Sequence, residues 1–329
     1  MVLIVGQQPD PHIDAVSEHL RAFGVRVLLL NRCATRACTL RYRNGAVGGT
    51  IVTEDGVAEL DDVACVWWRV KPSALAEFSG GNAGLAETFM WREWRSVLRS
   101  LATLLTEVPW VNPLPEHLNA GLKPAQLALA AAAGLEVPET IITNDAEEVD
   151  GLFDRHERVV YKTLSSFIAP PDQIIYTNPV TRDQVRREHR AIRAAPGIFQ
   201  AYVAKAHELR VTVVDERLFT VRIDSQAAEI TSTDWRRSQL RDMYSIASLT
   251  GRTERGIMHF MRRAGLRYGA FDFVVTPDGR EVFLECNPGG QWLWLERATG
   301  APISRALAES LLSSGADRGP GGERAHATD

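Results

Sequence analysis

Two periods of hydrophobic and polar positions run through this chain. Val2-Leu3-Ile4-Val5 is an unbroken apolar run, the mark of a strand covered on both faces. Asp14 to Phe23 repeats at helical spacing and stops at Gly24, and Val25 to Leu30 resumes as a strand. Val63 to Trp68 is another strand, leading into Arg69-Val70-Lys71-Pro72. Glu87 to Leu105 predicts a long helix with Trp91, Trp94, Val97, Leu98, Leu101 and Leu105 on one stripe. Such a stripe reads as core or interface. Buried strands alternating with helices predict an α/β lobe over residues 1–115, built on a parallel sheet.

The pattern then changes to hairpins. Lys123 opens a helix that runs to Ala133 and closes at Gly134. Strands are predicted at Val137 to Thr143, Val159 to Lys162 and Phe199 to Val203. Another pair, Glu208 to Val214 and Leu218 to Ile223, turns at Asp215-Glu216. Thr181, with Gln184 three residues on, predicts a capped helix to Ala194. Glu254 to Ala264 predicts a helix with Thr253 as N-cap and Gly265 past its end. Ile303 to Leu312 is the last helix. The Gly-, Ser- and Asp-rich end predicts a disordered tail over 314–329. The expected division is a central lobe over 116–200 and a C-terminal lobe over 201–313.

Composition narrows the picture. The chain has 329 residues and a net charge of −4, which argues against a generic nucleic-acid binder. Cys33, Cys38, Cys65 and Cys286 lack metal-type spacing, so reduced, mostly buried thiols in a cytoplasmic protein are expected. No signal peptide and no membrane span are read. Gly6-Gln7-Gln8-Pro9 after the first strand lacks the glycine spacing of a dinucleotide site.

The chemistry concentrates near the C-terminal hairpin. Glu285 and Asn287, two apart on a strand, project to one face, where two hard oxygen donors can hold Mg²⁺ and leave room for phosphate oxygens. An exposed polar strand end would carry the same triplet. If Thr276 and Gly279 close the preceding turn, Asp272 lies opposite Phe283. It then joins Glu285 and Asn287, while Phe271, Phe273, Val282, Leu284 and Cys286 face the core. Lys123 at a helix start, Lys162 at a strand end, Arg210 within a strand, and Arg236 beside Asp234 and Trp235 supply cations. Each singly is also what a solvated charge looks like. Together with the oxygen donors they are what phosphoryl transfer needs.

Taken in order, Lys123-Pro124, Val160-Tyr161-Lys162, Phe199 to Val203, Asp234-Trp235-Arg236, Asp272 and Glu285-Cys286-Asn287 resemble the ATP-grasp superfamily. More narrowly, the chain resembles the graspetide (microviridin-type) synthetases. Trp67-Trp68-Arg69, Ile174 to Val180, Glu208 to Val214, Ile223 to Gln226 and Leu284 to Glu296 carry that likeness. The resemblance implies an ATP-grasp fold: a Rossmann-like N-terminal lobe, a central lobe, and a C-terminal antiparallel-sheet lobe. It implies ATP contacts by Lys123, Lys162, Gln200, Tyr202 and Val203, and Mg²⁺ held by Asp272, Glu285 and Asn287. Arg210 and Arg236 would face the transferring phosphate, with Asp234 or Asp224 as candidate base. A precursor peptide would be the partner, its leader part bound by Arg182, Asp183, Arg186, Arg187 and Arg190. Arg182, Arg186, Arg190 and Arg193 would form one helix face. A homodimer is also implied.

The implied reaction phosphorylates an Asp or Glu side chain of the precursor. A Ser or Thr hydroxyl, or a Lys amine, then displaces phosphate to close an ω-ester or ω-amide ring. Val70-Lys71 departs from the Arg-Pro pair usual among relatives. Two rival readings share the same residues: a ligase for small amino acids or a protein C-terminus, and a nucleotide-binding regulator without ligase activity.

Overall fold

The computed structural model describes residues 1–31, 35–44, 46–70, 84–165, 168–169, 173–174, 177–224 and 243–316. The chain divides into two compact units, Met1–Pro115 with Pro302–Asp329, and Glu116–Ala301.

The first unit runs β1 (Val2–Gly6), α1 (Pro11–Ala22), β2 (Val27–Leu30), β3 (Thr35–Arg43), β4 (Ala46–Thr53), β5 (Gly56–Glu59), β6 (Cys65–Arg69), α2 (Leu85–Leu104), β7 (Trp110–Val111) and the start of α3 (Leu114–Ala120). β1 lies between β2 and β6 in a parallel sheet of order β2-β1-β6-β7. The apolar runs that predicted buried strands are indeed covered: every residue of β1, β2 and β6 is buried. The antiparallel β3-β4-β5 sheet was not expected from the sequence. Its first strand is largely polar and open to solvent, and only Cys38 and Leu40 pack against the buried cluster.

The second unit runs α4 (Lys123–Ala132), β8 (Thr140–Thr143), α5 (Ala146–Phe153), β9 (Val159–Lys162), β10 (Ile168–Ala169), β11 (Gln173–Ile174), β12 (Asn178–Val180), α6 (Arg182–Arg187), α7 (His189–Ala194), β13 (Gly197–Ala201), β14 (His207–Val214), β15 (Arg217–Ile223), β16 (Tyr244–Ile246), α8 (Gly251–Ala264), β17 (Tyr268–Val275), β18 (Glu281–Asn287) and α9 (Leu293–Thr299). Beside the β10-β11 pair, two larger antiparallel sheets result, of order β12-β9-β13-β8 and β16-β15-β14-β17-β18. One face of the first packs Val159 and Phe199 against Val149 and Leu152 of α5 and Val185 of α6. One face of the second buries Leu209, Val211, Val213, Phe271, Phe273 and Phe283 under Ile257, Phe260 and Met261 of α8. The rings of Phe260, Phe271 and Phe283 meet edge-on or tilted at 5.2–6.2 Å, the arrangement aromatic quadrupoles favour.

Four sequence expectations are corrected here. The N-cap of α8 is Thr250, whose side chain accepts from Thr253 N–H, so the helix starts a turn before the expected Thr253 cap. The helix expected from Thr181 to Ala194 is two helices, because Glu188 leaves helical geometry at φ −90° and ψ 17°. Its capping box of Thr181 and Gln184 is present as expected. α10 (Ile303–Ala316) runs four residues past the expected end and belongs to the first unit rather than the C-terminal lobe. There it packs on α1 and β6, and Gly315 lies against Ala64. The fourth correction is the register of the β17–β18 hairpin, treated below. Residues 317–329, expected as a tail, lie outside the described residues. No helix among the described residues is long and apolar enough to cross a membrane.

Candidate functional site

The five-stranded sheet has a second face, and its chemistry is the reverse of the aromatic one. Glu208, Arg210 and Thr212 alternate along β14 and are all buried. Arg210 stands opposite Asp272 of β17, and Asp272 stands opposite Glu285 of β18. Asn287 pairs with Ala270, so Asp272, Glu285 and Asn287 share this face.

The shared face was expected, but the register that produces it was not. Asp272 does not lie opposite Phe283. Phe273 pairs with Phe283 and Asp272 with Glu285, so a bulge at Leu284 puts one extra residue into β18. Phe283 therefore turns into the aromatic core, and Val282 pairs with Val274, away from the core side to which it had been assigned. Leu284 is the residue left over, and it is only half-buried. The bulge lets Phe283 and Cys286, three apart, both reach the core while Glu285 points the other way.

The donor set fits a hard divalent cation. Two carboxylates on directly opposed residues repel unless a cation lies between them, and the Asn287 amide adds a neutral oxygen. Asn287 Oδ1 accepts from Gly289 N–H at 3.1 Å, which fixes the side chain at the strand end. Two carboxylates and one amide on a single face leave positions for water and phosphate oxygens around such a cation. Arg210 Nη1 donates to Asp272 Oδ1 at 2.8 Å, and its Nη2 to the carbonyl of Gln291 at 3.3 Å. Its Nε is buried without a partner among the described residues. Gly290 is required here, because a Cβ would fall 2.4 Å from Ala270 Cβ and 2.7 Å from Arg210 Nη2. Burial pushes the thiol of Cys286 far above its ordinary value, so it is an inert core residue.

On the four-stranded sheet, Lys162 Nζ donates to Gln200 Oε1 at 2.7 Å, and Gln200 Nε2 donates to Thr140 Oγ1 at 2.8 Å. Val160 pairs with Gln200, so Lys162 and Gln200 share the face turned away from α5 and α6. Tyr202 and Val203 follow β13 in the connection to β14, both half-buried. The Tyr202 ring lies 3.7 Å from the Arg158 guanidinium carbon, and its N–H donates to Arg158 O, so its carbonyl is the backbone group left to meet a ligand. Lys123 opens α4 and donates to Thr163 O at 2.8 Å. That contact brings the α4 N-terminus to the residue after Lys162.

The arginine row of α6 and α7 is partly spent. Arg186 makes a two-pronged contact with Asp150 of α5, at 3.1 and 3.0 Å, and Arg182 reaches Asp154 at 2.5 Å. The break at Glu188 interrupts the single face expected for Arg182, Arg186, Arg190 and Arg193. Asp183, Arg187 and Arg190 are exposed. Asp224 pairs with Arg222 at 2.7 Å. Asp234, Trp235 and Arg236 lie outside the described residues, as do Lys71, Pro72, Ser225 and Gln226.

One residue was missed from the sequence. Gln126 of α4 is buried, and its amide spans from the carbonyl of Ala120 to both backbone groups of Cys286. Its signal was a lone amide in an alanine- and leucine-rich helix, one turn after Lys123.

Solved structures carry the same fold over nearly the whole chain. An ATP-grasp ligase associated with a ribosomal peptide product in Chryseobacterium gregarium, held with ADP and a leader and core peptide, superposes with a TM-score of 0.84 at 26% identity, covering 95% of this chain and 96% of that one. The macrocyclase MdnC of Microcystis aeruginosa MRC, bound with its precursor peptide MdnA, gives 0.81 at 31% identity, covering 95% and 100%. The macrocyclase MdnB of the same organism gives 0.75 at 26%, covering 94% and 98%. No family model matches the chain, and no curated protein does.

Proposed function

We propose, for a chain that belongs to the ATP-grasp macrocyclases of ribosomally made peptides, that it uses ATP to join a side-chain carboxylate of a precursor peptide to a hydroxyl or amine of the same peptide. The observation that carries the reading is the row Arg210, Asp272, Glu285, one cation and two carboxylates on adjacent strands of a buried polar face.

A carboxylate is a poor acyl donor because its leaving group would be oxide. Transfer of the terminal phosphoryl group of ATP to that carboxylate gives an acyl phosphate and ADP. Attack by a Ser, Thr or Lys side chain then expels phosphate and leaves an ester or amide ring. Asp272, Glu285 and Asn287 would hold Mg²⁺, which would supply charge neutralisation for the terminal phosphates. Lys123 and Lys162 face the phosphates, and Gln200, Tyr202 and Val203 line the base. Arg210 steadies Asp272 and turns its remaining donor capacity to the transferring phosphoryl group. Arg236 and Asp234 keep the roles that the resemblance assigns them. No covalent enzyme nucleophile is required, since the work is positioning and charge stabilisation.

The leader part of the peptide binds the α6–α7 surface through acidic residues. Arg190 carries that contact, because Asp150 and Asp154 already hold Arg186 and Arg182 and Glu188 faces Arg187. Arg190→Glu is expected to weaken leader affinity while ATP affinity holds.

The test is mass spectrometry of a precursor peptide incubated with the enzyme, ATP and Mg²⁺. One water mass lost per ring, dependent on ATP, is expected. ADP release that answers instead to small amino acids or a protein C-terminus, with no mass loss in the peptide, would overturn the peptide reading.

A further inference from the structure

Among the described residues β18 is the outer strand of its sheet, and its outward side carries only a single β-bridge, Glu136 to Val282. Two features of the chain cover that edge. Glu136 O accepts from Phe283 N–H at 2.7 Å. Beyond the bulge, Gln126 takes over: its Oε1 accepts from Cys286 N–H at 2.9 Å, and its Nε2 donates to Cys286 O at 2.6 Å. A side-chain amide thus reproduces both bonds of a missing strand at one residue, the residue between Glu285 and Asn287. Nε2 also donates to Ala120 O at 2.6 Å, which ties the end of α3 to the same point. The Cys286 side chain is buried in the aromatic cluster, so residue 286 is gripped by its backbone and its side chain together.

We propose that Gln126 is a positioning residue that sets the spacing and tilt of Glu285 and Asn287 for their cation, an inference that rests on the metal reading above. The grip is needed because the bulge has already broken the ladder just before these residues, and β17 alone fixes only one side of the strand. Outer partners of this kind orient metal ligands and tune affinity without touching the ion. Lys123, three residues earlier on the same helix and so on the same side, holds Thr163 O next to Lys162. One turn of α4 therefore spans from the lysine strand to the metal strand.

The experiment titrates Mn²⁺ into the full chain with ADP present and reads free Mn²⁺ by electron paramagnetic resonance. Wild type is compared with Glu285→Gln, Gln126→Met and Gln126→Glu, with ADP affinity measured separately in EDTA. Both Gln126 variants are expected to bind Mn²⁺ about 10- to 100-fold more weakly, with ADP affinity in EDTA unchanged. Wild-type Mn²⁺ affinity in both Gln126 variants, alongside a loss in Glu285→Gln, would overturn the positioning role and leave the metal site standing. Unaltered affinity in Glu285→Gln would remove the metal reading and this inference with it. A measurement on wild type covers the case in which the variants do not fold. By linkage, Mn²⁺ and ADP must tighten the bonds that favour their binding, so hydrogen exchange at the Cys286 amide is expected to slow on loading. Unchanged exchange would refute the proposal.

Discussion

Two buried arginine–aspartate pairs can be set side by side. In the first unit, Arg69 Nε donates to Asp10 Oδ2 at 3.1 Å, and both side chains are 2% exposed. Asp10 also caps α1 by accepting from His12 N–H at 3.0 Å, and it meets His12 Nδ1 at 2.8 Å. Both carboxylate oxygens are thus engaged within the protein, and the pair joins the end of β6 to the start of α1. In the second unit, Arg210 and Asp272 are 6% and 8% exposed and nearly as deep, but their surroundings differ. Glu285 stands directly opposite Asp272 and brings a second carboxylate to that pair, whereas the Asp10 carboxylate meets a guanidinium and an imidazole. Burial and pairing alone do not separate a structural pair from a working one. What differs is the neighbour: a helix cap and an imidazole beside Asp10, a second carboxylate on the adjoining strand beside Asp272.

The comparison can be broken most sharply at Asp272. Asp272→Asn and Glu285→Ala are each expected to lower ADP release roughly 10²–10³-fold or more, with the circular dichroism melt near wild type. Full turnover by either would put Arg210–Asp272 in the structural class. Asp10→Ala should behave oppositely. It removes the carboxylate that the buried Arg69 guanidinium meets, at about 3–5 kcal/mol, and a helix cap. A denaturant midpoint that barely moves would break the contrast from the other side.

Acid sharpens it further. Burial by itself would raise the carboxyl of Asp10, but the His12 hydrogen bonds and the Arg69 charge outweigh it and hold the group well below the usual aspartate range. A carboxylate depressed on folding adds stability that is fully present above its unfolded value and drains away as pH falls toward its folded value. Wild type should therefore lose stability through the acid range with a steeper slope than Asp10→Asn. Equal slopes in the two melts would show that Asp10 does not titrate as the pairing requires. The smallest effect belongs to a third pair of the same chemistry. Arg186–Asp150, with side chains 58% and 29% exposed, is a surface contact, and Arg186→Ala should shift stability by less than about 1 kcal/mol.

Alternation within one strand and one capping box were legible in the sequence, while the cap at Thr250 and the hairpin register were not. Two-residue spacing put Glu285 and Asn287 on one face, and Thr181 with Gln184 announced its helix. The bulge was hidden because Val282-Phe283-Leu284 is apolar throughout, so no polar position marks where the strand slips. The break at Glu188 carries neither Gly nor Pro, and only backbone geometry reveals it. β3 escaped because an exposed strand with Arg, Thr and Tyr side chains resembles a loop. Gln126 and Asp10 were illegible for a different reason. Their roles depend on partners 160 and 59 residues away, and no local pattern encodes a contact of that span.

The bulge at Leu284 also has a use at the bench. It lies between the hairpin turn and the site, so the pairs from Phe273–Phe283 to Val275–Glu281 form a stem beyond it, with β17 still paired to β14 along its length. Residues 277–280 at its tip are exposed, and Gly279 has open space around it. A fluorophore or a surface tether spliced between Asp278 and Gly279 would ride on that stem. The bulge separates that attachment point from Glu285, giving a handle on the enzyme close to its chemistry.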